Sequence, residues 1–327
     1  MSANAALQHS KDLAKTACER DDTSLIDEAF SNCSGHDGSP DLLQYSYRLA
    51  IQNNAEKVLK SLIDKQGLHV HHLPPTAVSG AGRSTPILEV LLAHGWDINW
   101  RHVSESGPNA EPFMWHIVGD GDLVAWCLEH GASLSPVRQE SLHPNELTRS
   151  QLSCRQVLEC AAAEGSVATF ELLWSKGAPL GWRPLHLAVR AAGLALDRAP
   201  GAGEGEAGGR AGKSDKATEA AERMDMVRHL IDVVGVDVNA LDHPVGKRKA
   251  DRLGTPIVYV ADLNGLGHLR ELTWLLLDRG ADPAPGLEEA KEIEHTAFVD
   301  DVDAWKAQHP NAGKGWLDMA KAKVFGR

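Results

Sequence analysis

The feature that most constrains this chain is a short unit that recurs along it: an apolar helix, a break, and a second apolar helix that stops at glycine. Residues 156 to 179 show it without a gap. Gln156-Val-Leu-Glu-Cys-Ala-Ala-Ala reads as one helix, Gly165 interrupts it, and Phe170, Leu172, Leu173 and Trp174 give the second helix its apolar face before Gly177-Ala178. The unit returns as Pro184-Leu185-His186-Leu187-Ala188 with a later Val227-x-x-Leu230-Ile231. It returns again as Thr255-Pro256-Ile257 through Leu276-Leu277-Asp278-Arg279-Gly280-Ala281-Asp282. Upstream the pattern thins to Leu88-x-x-Leu91-Leu92-x-x-Gly95-Trp96-Asp97-Ile98-Asn99 and Val124-x-x-Cys127-Leu128-x-x-Gly131-Ala132. Leu49-Ala50 to Ile63 and Leu13-Ala14 to Phe30 keep only its rhythm. Repeated helical hairpins bury their flanks against one another, so architecture follows from the repeat before any single residue is considered.

Each marker has a physical reason. Proline opens a helix where its missing N–H costs nothing, and Gly165 and Gly177 are expected to supply the left-handed backbone that stops helices. Small Ala161 and Ala162 let the first helix lie close to its partner. These residues resemble the ankyrin repeat, in which Thr-Pro or Pro-Leu-His opens one helix and Leu-Leu-x-x-Gly-Ala-Asp closes the next. The resemblance spans residues 12 to 283 and is best over 156 to 283. It implies an all-α fold, an ankyrin-like solenoid of about six to seven helix-turn-helix repeats with a C-terminal capping helix. It also implies a structural His186, bonding within and between repeats; Glu159 and Val258 stand at that place in other repeats, where the network is expected to be broken.

The spacing departs from the family's period of ~33 residues. Gly95 to Gly131 is 36 residues, Gly131 to Gly177 is 46 and Gly235 to Gly280 is 45, so the hairpin loops are enlarged. The largest interruption, about 197–221, carries six glycines and no large apolar residue, which predicts a mobile loop. The organisation expected is a repeat array over 1–283 and, over 284–327, a cap with a basic tail. Ile293, Phe298, Val302 and Trp305 form the apolar face of the cap, and Lys314, Lys321, Lys323 and Arg327 the tail.

Charge and cysteine content bound the partners. The 327 residues hold 33 Lys plus Arg against 45 Asp plus Glu, a net charge of −12, which disfavours phosphate-driven nucleic-acid binding. Five scattered cysteines make no disulfide framework. The N-terminal residues lack a basic and apolar leader pattern, and no uncharged stretch approaches the ~18 residues of a membrane span. A monomeric cytoplasmic or nuclear protein without membrane contact is expected.

Several chemical motifs carry less than they promise. Ala207-Gly-Gly-Arg-Ala-Gly212-Lys213-Ser214 matches a relaxed phosphate loop and Gly203-x-Gly205-x-x-Gly208 a dinucleotide fingerprint, yet neither follows a strand, as such loops must. His69, His71 and His72 lack the further ligands a closed zinc site needs. Cys154 and Cys160 are too far apart for a metal knuckle and read as buried thiols. No Ser or Cys sits in a recognisable nucleophile pattern. No cofactor, metal or catalytic residue is expected.

Tryptophan is the remaining signal: nine residues, against five Phe and three Tyr. Trp126, Trp174 and Trp274 lie on second helices and should pack. Trp96, Trp100 and Trp182 fall just past helix ends, in loops that such an array projects to one side, where an exposed Trp is a candidate anchor. The leading expectation is therefore a non-enzymatic adaptor or scaffold that binds a protein through its concave face and loop tips. Its contact residues would be Trp96, Trp100, Arg101, Trp182, Arg183, Asp242, His243, Lys247 and Arg248. An enzyme or small-molecule binder that reuses the groove is the alternative, and a phosphate-loop nucleotide binder the third reading.

Overall fold

The computed structural model describes residues 3–33, 39–71, 73–81, 84–101, 111–135, 155–199, 210–243 and 253–310. Among them secondary structure is helical throughout, fifteen α-helices and one 3-10 helix, with no β-strand. The chain divides into two compact units, Met1–Arg155 and Gln156–Arg327.

The first unit contains α1 (Ala3–Arg20), α2 (Thr23–Cys33), α3 (Ser39–Gln52), α4 (Glu56–Asp64), α5 (Pro75–Ala81), α6 (Thr85–Ala93), a 3-10 turn (Phe113–His116) and α7 (Gly121–Glu129). Helices alternate between two layers. Thus α1 packs on α3, α3 on α5 and α5 on the 3-10 turn, while α2 packs on α4 and α4 on α6. The second unit contains α8 (Val157–Glu164), α9 (Val167–Ser175), α10 (Pro184–Arg198), α11 (Arg210–Asp232), α12 (Pro256–Ala261), α13 (Arg270–Asp278), α14 (Pro283–Glu292) and α15 (Thr296–Gln308). The alternation repeats there: α8 on α10, α10 on α12 and α12 on α14 in one layer, α9 on α11 and α13 on α15 in the other.

Local chemistry explains the hairpins. At Gly177 the backbone turns left-handed, φ 90°, which leaves the Gly177 N–H on Trp174 O and the Ala178 N–H on Leu173 O. Those two bonds satisfy the carbonyls that a helix end exposes. The same pair recurs at Gly95-Trp96, Gly131-Ala132 and Gly280-Ala281. Gly165 differs from expectation. Its φ of −84° and ψ of 173° are extended, and α9 is started instead by Ser166, whose hydroxyl accepts the Thr169 N–H.

Two other expectations change shape. Residues 210 to 221, within the stretch read as a mobile loop, are the opening of α11, and Gly212-Lys213-Ser214 lie inside that helix. Ala217, Glu219, Ala220 and Ala221 are good helix formers and extend a segment that packs through buried Met224, Met226, Val227 and Leu230. The expected capping helix is two helices, α14 and α15, separated where Glu294 adopts φ 59°. Phe298, Val302 and Trp305 are buried and Ile293 is half-buried. The tail from 313 onward lies outside the described residues, as do Cys154, Trp316 and His72.

Candidate loop-tip interface

Trp182 reaches solvent. It is 55% exposed on the turn that joins α9 to α10. The turn beneath it is fixed by Glu159 of α8, a buried carboxylate. Glu159 Oε1 accepts the backbone N–H groups of Trp182 (3.0 Å) and Arg183 (2.8 Å), while Oε2 accepts the Gln156 N–H (3.1 Å) at the start of its own helix. The half-buried Arg183 places Nε 4.0 Å from the same carboxylate and offsets its charge. Gly181, at φ 78°, sits so close that a Cβ there would stand 2.8 Å from Glu159 Oε1. The indole is therefore held on a backbone that has little freedom left to lose on binding.

One hairpin later His186 occupies the same helix position with opposite polarity. Its Nε2 lies 3.0 Å from Ala240 O and 2.9 Å from Gly254 O; carbonyls only accept, so this nitrogen carries the proton. Burial pushes its pKa down to about 4, leaving the ring neutral at pH 7, edge-on to Tyr259. The network expected to break at Glu159 is thus preserved there. A carboxylate meets a loop that presents N–H groups, and an imidazole meets a loop that presents carbonyls.

Asp242 is wholly buried, and its surroundings are satisfied. It accepts from His243 Nδ1, from the Leu253 N–H (2.9 Å) and from the Tyr259 hydroxyl (2.7 Å), and its own N–H donates to Gly254 O (3.0 Å). Burial alone would raise its pKa. The hydrogen bonds from His243, Tyr259 and the Gly254 backbone, with His186 nearby, hold it below the ordinary carboxylate range. These contacts close the neck of the loop between 242 and 253. A side chain so engaged has no face to offer a partner, so Asp242 is a clamp and only the half-buried His243 adjoins solvent.

In the first unit Trp96 is 3% exposed, its ring edge-on to Phe113 at 5.3 Å, and Arg101 is 1% exposed. Trp100 is half-buried. Trp96 follows Gly95 as Ala178 follows Gly177 and Ala281 follows Gly280, and both alanines are buried. The position points inward, so a tryptophan there becomes core instead of a projecting anchor. Trp174, expected to pack, is 38% exposed, whereas Trp126 stacks on His130 at 3.9 Å and Trp274 donates to Asp301 O at 2.9 Å. Lys247 and Arg248 lie outside the described residues.

Glu159 is the residue that sequence reasoning undervalued, although its place in the helix matched that of His186. Asn99 and Asn239 stand outside the expected contact residues yet carry comparable bonds. Asn99 donates to Gly131 O (3.0 Å) and accepts the Ser133 N–H (2.7 Å); Asn239 donates to Gly280 O (2.9 Å) and accepts the Asp282 N–H (2.7 Å). Each amide ties one loop to the next with both of its ends, and the shared Asp-x-Asn spelling at 97–99 and 237–239 was the available signal.

Groups suited to covalent or metal chemistry are differently placed. Burial, with nearby carboxylates, pushes the Cys18 and Cys127 thiols up to about 12, so both stay protonated at neutral pH. Among the described residues no three His, Cys, Asp or Glu side chains converge on a common point. His69 is exposed, and the His71 ring lies against Gly95. No helix of the described residues is long and apolar enough to cross a membrane. The chain matches no family profile and no curated protein.

Proposed function

We propose that this chain is a protein-interaction module built from ankyrin-like helical hairpins, with Trp182 as a principal anchor. Three observations support the hairpin reading: the alternating layers within each unit, the recurrent stop at Gly95, Gly131, Gly177 and Gly280, and the matched clamps of Asn99 and Asn239. The observation that carries the interaction reading is an exposed indole on a turn locked by a buried carboxylate. Large rigid aromatics at preorganised sites are the side chains that dominate binding energy, because little entropy is lost when they dock. Arg183 serves mainly to balance Glu159 beneath the surface.

The test is affinity purification from the native cell with wild-type protein and a Trp182→Ala variant. The Glu159 bond uses the backbone N–H of residue 182, which alanine retains, so the variant should melt as wild type does. A partner whose affinity falls about 30-fold, the equivalent of about 2 kcal/mol at a hot spot, supports the reading. A partner held equally by both proteins removes Trp182 from the interface. Recovery of a small molecule with no specific protein transfers the assignment to ligand binding.

A further inference from the structure

A groove of about 390 Å³ runs along the first unit between α1 and α3. Its walls are mixed: Leu49 and the Tyr45 ring give it an apolar side, and the other lining residues are polar or charged. Asp41, Gln44, Tyr45, Arg48 and Gln52 follow one another at helical spacing along a single face of α3, and Lys11 of α1 completes it with Nζ 5.7 Å over the Tyr45 ring. Neither Lys11 nor Arg48 forms an ion pair with any described residue, although the chain as a whole is acidic at −12. Asp41 sits in the first turn of α3, where the helix end already favours a negative charge, so it needs no basic ligand to explain it.

We propose that this groove binds an extended acidic peptide segment, with a Glu or Asp carboxylate of the ligand received between Arg48 and Lys11. From Asp41 to Gln52 the face rises about 16 Å at 1.5 Å per residue, a length that about five extended residues cover. The volume falls in the range of ligand sites, roughly 300–1,000 Å³. Lys11 is half-buried against Tyr45, so its charge is less screened than that of a free surface lysine. Gln44 and Gln52 offer amides that can pair with peptide backbone. Asp41, two turns from Arg48, repels a carboxylate at that end and gives the groove a direction. The site belongs to a different unit from Trp182 and stands on its own residues.

The test uses the full chain and three probes: a capped Glu-Leu-Glu-Leu-Glu peptide, its capped Gln counterpart, and free glutarate, all titrated by calorimetry. The Glu peptide should bind, and the Gln peptide should bind at least about tenfold more weakly. K11Q and R48Q should each weaken the Glu peptide about three- to fivefold, D41N should tighten it, and W182A should leave it unchanged. Asp41 and Arg48 are exposed and Lys11 is half-buried without an ion pair to any described residue, so melting temperatures should stay close to wild type. Equal binding of the two peptides, no binding by the Glu peptide at about 1 mM, or indifference to K11Q and R48Q overturns the proposal. Weaker binding by D41N also overturns it, because a carboxylate that repels the acidic ligand cannot strengthen its binding. Glutarate binding as tightly as the peptide, with the same dependence on Lys11 and Arg48, overturns the peptide in favour of a free dicarboxylate.

Discussion

Glu159 holds Arg183 through the backbone: its buried carboxylate accepts the Arg183 N–H at 2.8 Å, across 24 residues of sequence, and so fixes the turn that exposes Trp182. Removing that acceptor leaves N–H groups without partners near a half-buried arginine. Glu159→Ala should destabilise the protein by about 3 kcal/mol, and Glu159→Gln, which keeps one acceptor but turns an NH₂ toward a donor, by about 1–2 kcal/mol. Urea denaturation followed by circular dichroism measures both. Equal losses for the two variants would show that the carboxylate charge, which both remove, sets the cost, and not the acceptor oxygen that Gln retains.

Gly181 offers a sharper geometric check on the same turn. A Cβ there must stand 2.8 Å from Glu159 Oε1, on a backbone at φ 78°. Gly181→Ala should cost about 1–3 kcal/mol in the same denaturation assay, whereas Gly177→Ala, with open space around it, should cost only the backbone strain of about 1 kcal/mol.

His186 predicts a specific dependence on pH. Its folded pKa of about 4 lies below the unfolded value of 6.5, so the unfolded chain takes up a proton that the native chain refuses. Stability is complete above pH 6.5, falls as the pH drops toward 4, and levels off there, for a loss of up to about 3 kcal/mol. Replacing His186 by Gln keeps an N–H donor for the two carbonyls and removes the titration. Denaturant midpoints at pH 7.5, 5.5 and 4.5 should converge between wild type and His186→Gln as the pH falls; parallel curves would exclude His186 as the source.

Asp242 acts in the opposite sense. Its folded pKa lies below the ordinary 3.8, so it contributes stability at neutral pH that is lost only as the pH falls below that value. Tyr259→Phe removes one buried donor at 2.7 Å, should cost about 1–2 kcal/mol at pH 7, and should move the onset of acid unfolding upward. An unchanged acid limb with an unchanged neutral stability would show that the hydroxyl bond is idle.

The loop clamps can be compared between the two units. Asn239→Ala breaks a donor to Gly280 and an acceptor for Asp282, and Asn99→Ala breaks the matching pair at Gly131 and Ser133. Each should cost about 1–3 kcal/mol, and Asn239→Asp, which retains only the acceptor, should fall between Asn239→Ala and wild type. Calorimetry of the three variants reports the losses, and a neutral Asn239→Ala would remove the clamp from the account.

Much of this was readable in the residues. The Leu-Leu-x-x-Gly endings gave the second helices because left-handed backbone at a helix end selects glycine so strongly, and Pro184 and Pro256 gave the starts of α10 and α12. Gly165 misled because glycine also occurs where the backbone is merely extended. Residues 210–221 misled because a helix anchored by packing at one end propagates through alanine and glutamate that would not nucleate alone. At the candidate interface, the sequence located the loops but could not tell which way each aromatic points: Trp182 faces out, and Trp96 faces in.

What the sequence determined by itself is the helical hairpin and its repetition, since helix periodicity, proline starts and glycine stops act over a few residues. Tertiary structure alone decided which side chains meet across 24 to 68 residues: Glu159 with Arg183, His186 with Gly254, Asn239 with Asp282. Those pairings, and with them the exposure of Trp182 and the burial of Asp242, depend on how successive hairpins stack, which no local spacing encodes.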